Sequence, residues 1–124
     1  MNKDWYRKKA NQIANSYHLK TKVKFKKDID FMMGTYNTKK DIIYLNPELM
    51  KDQLEFFKTL LHEINHAMYC RDMGADAYTS DYELEIERCI ISNLDPYNDN
   101  FYEIKAEEFA EDNYEYCSAF WGYK

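Results

Sequence analysis

Glycine and proline are scarce in this chain of 124 residues, which contains three glycines and two prolines. An all-β fold with many tight turns uses more of both residues, so the composition argues against a β-sandwich. Histidine is equally rare, with three residues, two of them at positions 62 and 66. The length fits a single domain over residues 1–124, whose chemistry must come from one small site.

Long apolar runs are also missing. No stretch approaches the roughly 20 residues that a membrane span requires, and no apolar segment follows the charged N-terminus as in a secretory signal. The three cysteines, Cys70, Cys89 and Cys117, are odd in number and lack C-x-x-C spacing. They indicate reduced thiols rather than disulfides or a cysteine-rich zinc site. We therefore expect a cytoplasmic protein that does not associate with membranes.

Charge is distributed unevenly around a formal net charge of −5. Residues 1–30 carry nine basic and three acidic side chains, whereas residues 81–124 carry three basic and twelve acidic ones. The lysines at positions 20–26 alternate with Val23 and Phe25, as on the solvent-facing side of a strand. No basic motif with interleaved aromatic residues accompanies them, so we expect no nucleic-acid partner.

The hydrophobic pattern predicts an α+β fold. A helix is expected over residues 4–17, followed by strands at 20–25, within 28–36 and at 41–45, with Gly34 as a bulge or a point of close approach. The connections between these strands look too short for crossovers, which predicts a small, mostly antiparallel sheet of about three strands. This sheet would pack on a central helix and on further helices.

Three helices are predicted after the sheet. The first begins with Asn46 as N-cap and Pro47 as first residue, with an optional break near Lys51, and ends at Gly74. The second runs over 82–93 with Asp81 as its cap. The third follows a loop at 95–100 and covers residues 101–120.

The central helix carries the motif His62-Glu63-Ile64-Asn65-His66. Residues four apart lie on one helical face, so both imidazoles can reach one tetrahedral zinc ion. Glu63 can lean over the open position of the metal and accept a proton from its bound water. The motif therefore predicts a Zn²⁺ site with hydrolytic chemistry.

A hydrolytic zinc site needs a third protein ligand, and no histidine follows His66. The last helix offers a stripe of small and acidic residues: Glu103, Ala106, Glu107, Ala110, Tyr114 and Cys117. Small residues admit a neighbouring helix, and a carboxylate on such a face needs a partner. We expect Glu103 to be the third ligand and Glu107 to hydrogen-bond a ligating histidine. The alternative is that both glutamates are ordinary surface residues.

Other acidic ligands remain open at this stage. Asp72 matches the position of a metzincin-like third ligand, but Tyr69 stands where the required sharp turn calls for glycine. Asp76 or Asp81 would suit an aspzincin-like site, although the residues around Asp76 lack the fuller pattern of that family.

The chain resembles the gluzincin metallopeptidases, and specifically the ImmA/IrrE-like family of small bacterial and mobile-element proteases. Residues 62–67 are similar to the family motif H-E-[LI]-x-H-A, and residues 103–110 are similar to its E-x-x-A-x-x-F-A helix. The segments 34–36 and 42–46 resemble the sheet edge that precedes the metal helix. Together these matches span residues 34–110.

This resemblance implies a minimal zincin-like domain with His62, His66 and Glu103 as zinc ligands and Glu63 as catalytic base. It implies a peptide substrate that pairs antiparallel with an edge strand, within a specific cytoplasmic protein such as a repressor or antitoxin. The chain departs from the family at Asn65, in a longer interval before Glu103, and in lacking a DNA-binding helix-turn-helix.

The residue that stabilises the oxyanion is not evident from the motifs. With no histidine downstream, a tyrosine is expected, and Tyr114 lies on the same stripe as Glu103. The competing hypothesis is an interaction module that retains a zincin scaffold without turnover, since many tyrosines and an asymmetric charge would also suit protein binding.

Overall fold

The computed structural model describes residues 3–29, 32–48 and 51–122, which contain four helices and three strands. In chain order these elements are α1 (Lys3–Ser16), β1 (Lys22–Phe25), β2 (Gly34–Asn37), β3 (Ile42–Leu45), α2 (Gln53–Met73), α3 (Ala75–Ile91) and α4 (Phe101–Trp121). The predicted α+β class is confirmed. Positions 30 and 31 of the second predicted strand segment, and positions 49 and 50 of the predicted helix start, lie outside the described residues.

The sheet is mixed, with β3 at its centre in the order β1-β3-β2. β2 pairs antiparallel with β3, whereas β1 pairs parallel with β3 in the register Val23 opposite Ile43. The prediction of a mostly antiparallel sheet is therefore wrong for one of the two pairings. The connection between β1 and β3 is residues 26–41, which includes β2 and is long enough for a parallel crossover. β2 remains as an edge strand beside α2.

Helix α2 begins later than its sequence predicts. Asn46 caps no helix: its side chain donates to the Lys27 carbonyl and accepts from the Glu48 N–H, which ties down the end of β3. The helix starts at the break near Lys51, where the Asp52 carboxylate accepts from the Glu55 N–H at 2.8 Å. Asn46 and Asp52 are equally good caps by residue type, so only the tertiary contacts of Asn46 distinguish them.

Gly74 ends α2, as predicted, and it also begins α3. Its φ of 90° lies in the region that favours glycine, and its N–H donates to the Cys70 carbonyl at 2.8 Å. Helix α3 therefore starts at Ala75, and the predicted start at Asp81 is wrong. Asp81 lies inside the helix, where its carboxylate accepts from the Tyr102 hydroxyl. This one-residue turn brings the first half of α3 back alongside α2.

The middle of α2 is buried on every side, from Leu60 to Ala67. Its apolar residues join the core formed by α1, the sheet and α4, with Ile13, Ile43 and Ile64 fully buried. A helix surrounded in this way normally has an apolar circumference. Its buried polar side chains therefore need specific partners. Within the described ranges, no helix combines the length and the apolar character that crossing a bilayer demands.

Candidate metal centre

Helix α2 places His62 and His66 one turn apart, with ring centroids separated by 5.0 Å. The Nε2 atoms of both rings point at the same oxygen, Glu103 Oε1, at 2.9 Å and 3.1 Å. All three side chains are buried, and their ligand atoms lie within 4.8 Å of one another. Two donors bound to one tetrahedral zinc ion are separated by about 3.3 Å. The three side chains could therefore hold a metal ion with little rearrangement.

Helix α4 delivers Glu103 because its first half packs closely on α2. The helix is capped by the Asn100 side chain, which accepts from the Tyr102 N–H at 2.9 Å. Ala106 and Ala110 are buried one and two turns after Glu103, so no bulky side chain keeps the two helices apart. The small residues of the predicted stripe thus pack against α2, and Glu103 on the same stripe faces the two histidines.

The other nitrogen of each imidazole is also engaged. His62 Nδ1 lies 2.7 Å from Glu107 Oε1, and His66 Nδ1 lies 2.8 Å from the Tyr78 hydroxyl. Partners at Nδ1 fix the ring orientation and leave Nε2 for a metal. Glu107 is therefore placed where the sequence predicts it, whereas Tyr78 has no counterpart among the predicted residues.

A second tyrosine holds the acid itself. The Tyr82 hydroxyl donates to Glu103 Oε2, leaving Oε1 to the two histidines. Tyr78 and Tyr82 lie four residues apart on α3, so they share a face. This spacing is visible in the sequence, but only the turn at Gly74 directs that face towards α2.

Charge pairing dominates the electrostatics of the centre. Burial lowers the pKa of His62, but the hydrogen bond to Glu103 and the charge of Glu63 raise it more, to about 9. Burial raises the pKa of Glu103, but its hydrogen bonds with the two histidines hold it well below its usual range. These opposite shifts describe a buried ion pair. A bound cation would displace the proton of His62, because only a neutral imidazole is a metal ligand.

Glu63 differs from Glu103, the other buried carboxyl of the described residues, in its lack of partners. It is 7% exposed, and no hydrogen bond within the described residues engages its carboxylate. Burial raises its pKa, although the positive charges of His66 and His62 act in the opposite direction. A carboxylate that borders the cleft, makes no hydrogen bond and lies beside two histidines is equipped to exchange protons with a small reactant.

A cleft of about 1100 Å³ opens above the centre. Its walls come from the edge strand β2, from α2, α3 and α4, and from Tyr97 in the loop before α4. Gly34 at the start of β2 lies so close to α2 that a Cβ there would be 2.7 Å from Thr59 Cγ2 and 3.2 Å from Glu63 Cγ. The predicted close approach at Gly34 therefore lets the edge strand form one wall of the cleft.

Tyr114, the predicted oxyanion residue, does not line this cleft. Its hydroxyl donates to Glu115 at 3.2 Å, and its ring lies 4.5 Å from Lys58 Nζ. The stripe on α4 places Tyr114 about three turns beyond Glu103, too far along the helix to reach the centre.

The alternative acidic ligands also lie elsewhere. Asp72 pairs with Arg71 at 3.0 Å, and Asp81 accepts from Tyr102. Asp76 is exposed at the start of α3. Within the described ranges, the metal-ligating side chains that converge are the two histidines and Glu103.

Comparisons of the chain with protein-family models, with curated proteins and with solved structures found no match. The resemblance to gluzincins therefore stays a prediction. Interpretation of the site rests on the geometry of its own residues.

Proposed function

We propose that this protein is a zinc-dependent endopeptidase that hydrolyses a peptide bond in a specific cytoplasmic protein. The observation that carries the proposal is the convergence of His62, His66 and Glu103 beside an unbonded, buried Glu63. Two imidazole nitrogens and one carboxylate oxygen form a donor set typical of catalytic zinc sites, in which a fourth position stays open for water or substrate. A dedicated structural zinc site would instead have four protein ligands.

The ligands would be His62 Nε2, His66 Nε2 and Glu103 Oε1. When bound, zinc supplies Lewis acidity, which polarises a carbonyl and acidifies water near neutral pH. Glu107 and Tyr78 keep both imidazoles oriented through their Nδ1 atoms. Tyr82 keeps the Glu103 carboxylate turned towards the histidines.

Glu63 would act as general base and then as general acid. It accepts one proton from water as the water oxygen bonds to the carbonyl carbon of the substrate. It then donates a proton to the amide nitrogen as the C–N bond breaks, which yields a carboxylate and an amine. Its burial favours the first step, because a raised pKa makes the Glu63 carboxylate a stronger proton acceptor.

Tyr97 is a better placed oxyanion donor than Tyr114. Four tyrosines of the described residues line the cleft: Tyr36, Tyr78 and Tyr82 hydrogen-bond Asp41, His66 and Glu103, and Tyr97 also has a side-chain hydrogen bond with Glu103. Tyr97 reaches the cleft from a loop held by Asp95, which accepts from the Tyr97 N–H at 2.8 Å. The hydrogen bond with Glu103 places the Tyr97 hydroxyl beside the centre, where burial and the charge of Glu103 raise its pKa. A phenol there can donate to a developing oxyanion.

The decisive experiment compares the wild type with Glu63→Gln, which preserves side-chain size. Both proteins are loaded with zinc, their metal content is measured, and both are incubated with a proteome-derived peptide library whose amines are blocked. We expect one zinc per chain in both proteins and new amino termini from the wild type alone. Equal cleavage by both proteins would refute the role of Glu63, and a failure to bind zinc would refute the metal site. Bound zinc without cleavage by the wild type would favour the interaction module instead.

A further inference from the structure

Charged side chains around the cleft are almost all acidic. Within the described residues, its lining includes one lysine, Lys58, but neither aspartate nor arginine. Six glutamates line the same cleft: Glu55, Glu63, Glu83, Glu103, Glu107 and Glu111. Glu63, Glu103 and Glu107 are accounted for by the metal centre. Glu55, Glu83 and Glu111 have no role in binding a metal ion, so their charge acts on a second ligand in the cleft.

Two of these three glutamates already have partners. Glu111 pairs with Lys58 at 3.1 Å, and the Glu55 carboxylate accepts from the Lys51 N–H at 2.6 Å. Glu83, on α3, has neither an ion pair nor a hydrogen bond within the described part of the chain. It therefore presents an unneutralised carboxylate to the cleft.

The surroundings of Glu83 suit a long cationic side chain. Ile86 lines the cleft one turn further along α3, so an aliphatic stem can lie on it while its charged end reaches Glu83. A second feature, independent of Glu83, points to a ligand in this cleft. Glu63 opens into it as a buried carboxylate with no hydrogen-bond partner in the described residues. The cleft thus contains both the candidate metal centre with Glu63 and an acidic wall that includes Glu83.

We propose that the cleft selects polypeptide segments rich in lysine and arginine, and that Glu83 is the residue that recognises a basic side chain near the bond to be cut. The inference that the ligand is a polypeptide rests on the proposed peptidase function. The charge selectivity rests on the lining alone. Lys58 offsets the charge of Glu111, so a basic segment would be attracted by Glu83 and Glu55, whereas an acidic one would be repelled by both.

The test uses two charge reversals on α3, Glu83→Lys and Glu87→Lys. Glu87 is an exposed glutamate one turn beyond Glu83 that does not line the cleft, so it controls for the change in net charge. Zinc-loaded wild type and both variants are incubated with the blocked peptide library, and residue frequencies around the new termini are counted. In parallel, binding of fluorescent lysine-rich and glutamate-rich peptides of equal length is measured with the Glu63→Gln protein, alone and combined with each reversal.

We expect lysine and arginine to be enriched near the sites that the wild type cuts. Glu83→Lys should abolish this enrichment and weaken binding of the lysine-rich peptide by about threefold to fivefold, as expected for a partly exposed ion pair. Glu87→Lys should change neither. Cleavage without basic enrichment, or equal effects of both reversals, would overturn the selectivity while leaving the peptidase intact. Selective binding that depends on Glu83 without any cleavage would support the selectivity and refute the proposed peptidase.

Discussion

Replacing Glu107 by glutamine tests whether the outer partner of His62 strengthens metal binding. Loss of such a partner typically weakens metal affinity 10- to 100-fold. The Glu107 side chain is 65% exposed, so water can replace Oε1 at His62 Nδ1. We therefore expect the lower end of this range, about tenfold, which corresponds to about 1.4 kcal/mol.

The assay is a competition titration of the zinc-free protein against a chromophoric zinc chelator at fixed pH. Glu108→Gln is the matched control, because Glu108 is an exposed neighbour on α4 that pairs with Lys105 at 3.4 Å. This control should leave the zinc dissociation constant unchanged. An unchanged constant for Glu107→Gln, or an equal increase in both variants, would refute the inference that the 2.7 Å contact supports a metal ligand.

Three further outcomes follow from the structure. In assays with a cleaved library peptide, Tyr97→Phe should lower kcat with little change in KM. Tyr114→Phe should change neither kcat nor KM. The reverse pattern would restore Tyr114 as the oxyanion donor. Gly34→Ala should lower the free energy of unfolding by about 1–3 kcal/mol, as measured by urea denaturation, because its new Cβ would overlap Thr59. An unchanged urea midpoint would show that β2 can move away from α2. Burial raises the pKa of Cys117 to about 12, so its thiol should resist iodoacetamide at pH 8 until the protein unfolds, as followed by mass spectrometry.

The cost of burying polar groups explains why both histidines have a partner at each ring nitrogen. His62 and His66 lie in a helix segment that is almost fully buried, where an unpaired imidazole would be costly. Glu103 partners both rings, while Glu107 and Tyr78 satisfy the remaining nitrogens. Each group in this network bonds at least one other. Removing Glu103 would therefore leave two buried rings without their shared acceptor as well as removing a proposed metal ligand.

Local signals predicted several parts of the fold correctly. The apolar spacing in residues 4–17 and 101–120 matches α1 and α4 to within one residue at each end. Gly74 ends α2, because the required positive φ is intrinsic to glycine. These features depend on the chain within about one helical turn, so residue type and spacing carry enough information.

The predictions were wrong where the local sequence pattern fitted more than one helix start or strand pairing. Asn46 and Asp52 both favour a helix start, and contacts of Asn46 with the Lys27 carbonyl decided between them. Parallel pairing of β1 with β3 depends on the path of residues 26–41, which no local pattern encodes. The start of α3 at Ala75 likewise depends on what its first turns pack against, since Asp81 is an acceptable cap by residue type.

The sequence by itself determined that two imidazoles share one helical face, because four-residue spacing in a helix leaves no other arrangement. It also favoured an acidic residue as the expected third ligand, since no histidine follows His66. Only the tertiary structure decided which acid reaches them and which tyrosines surround them. Glu103, Tyr78 and Tyr82 lie on two other helices, and their approach depends on the turn at Gly74 and on the close packing of α4 against α2. Such distances are set by packing between remote segments, which residue spacing along one helix cannot encode.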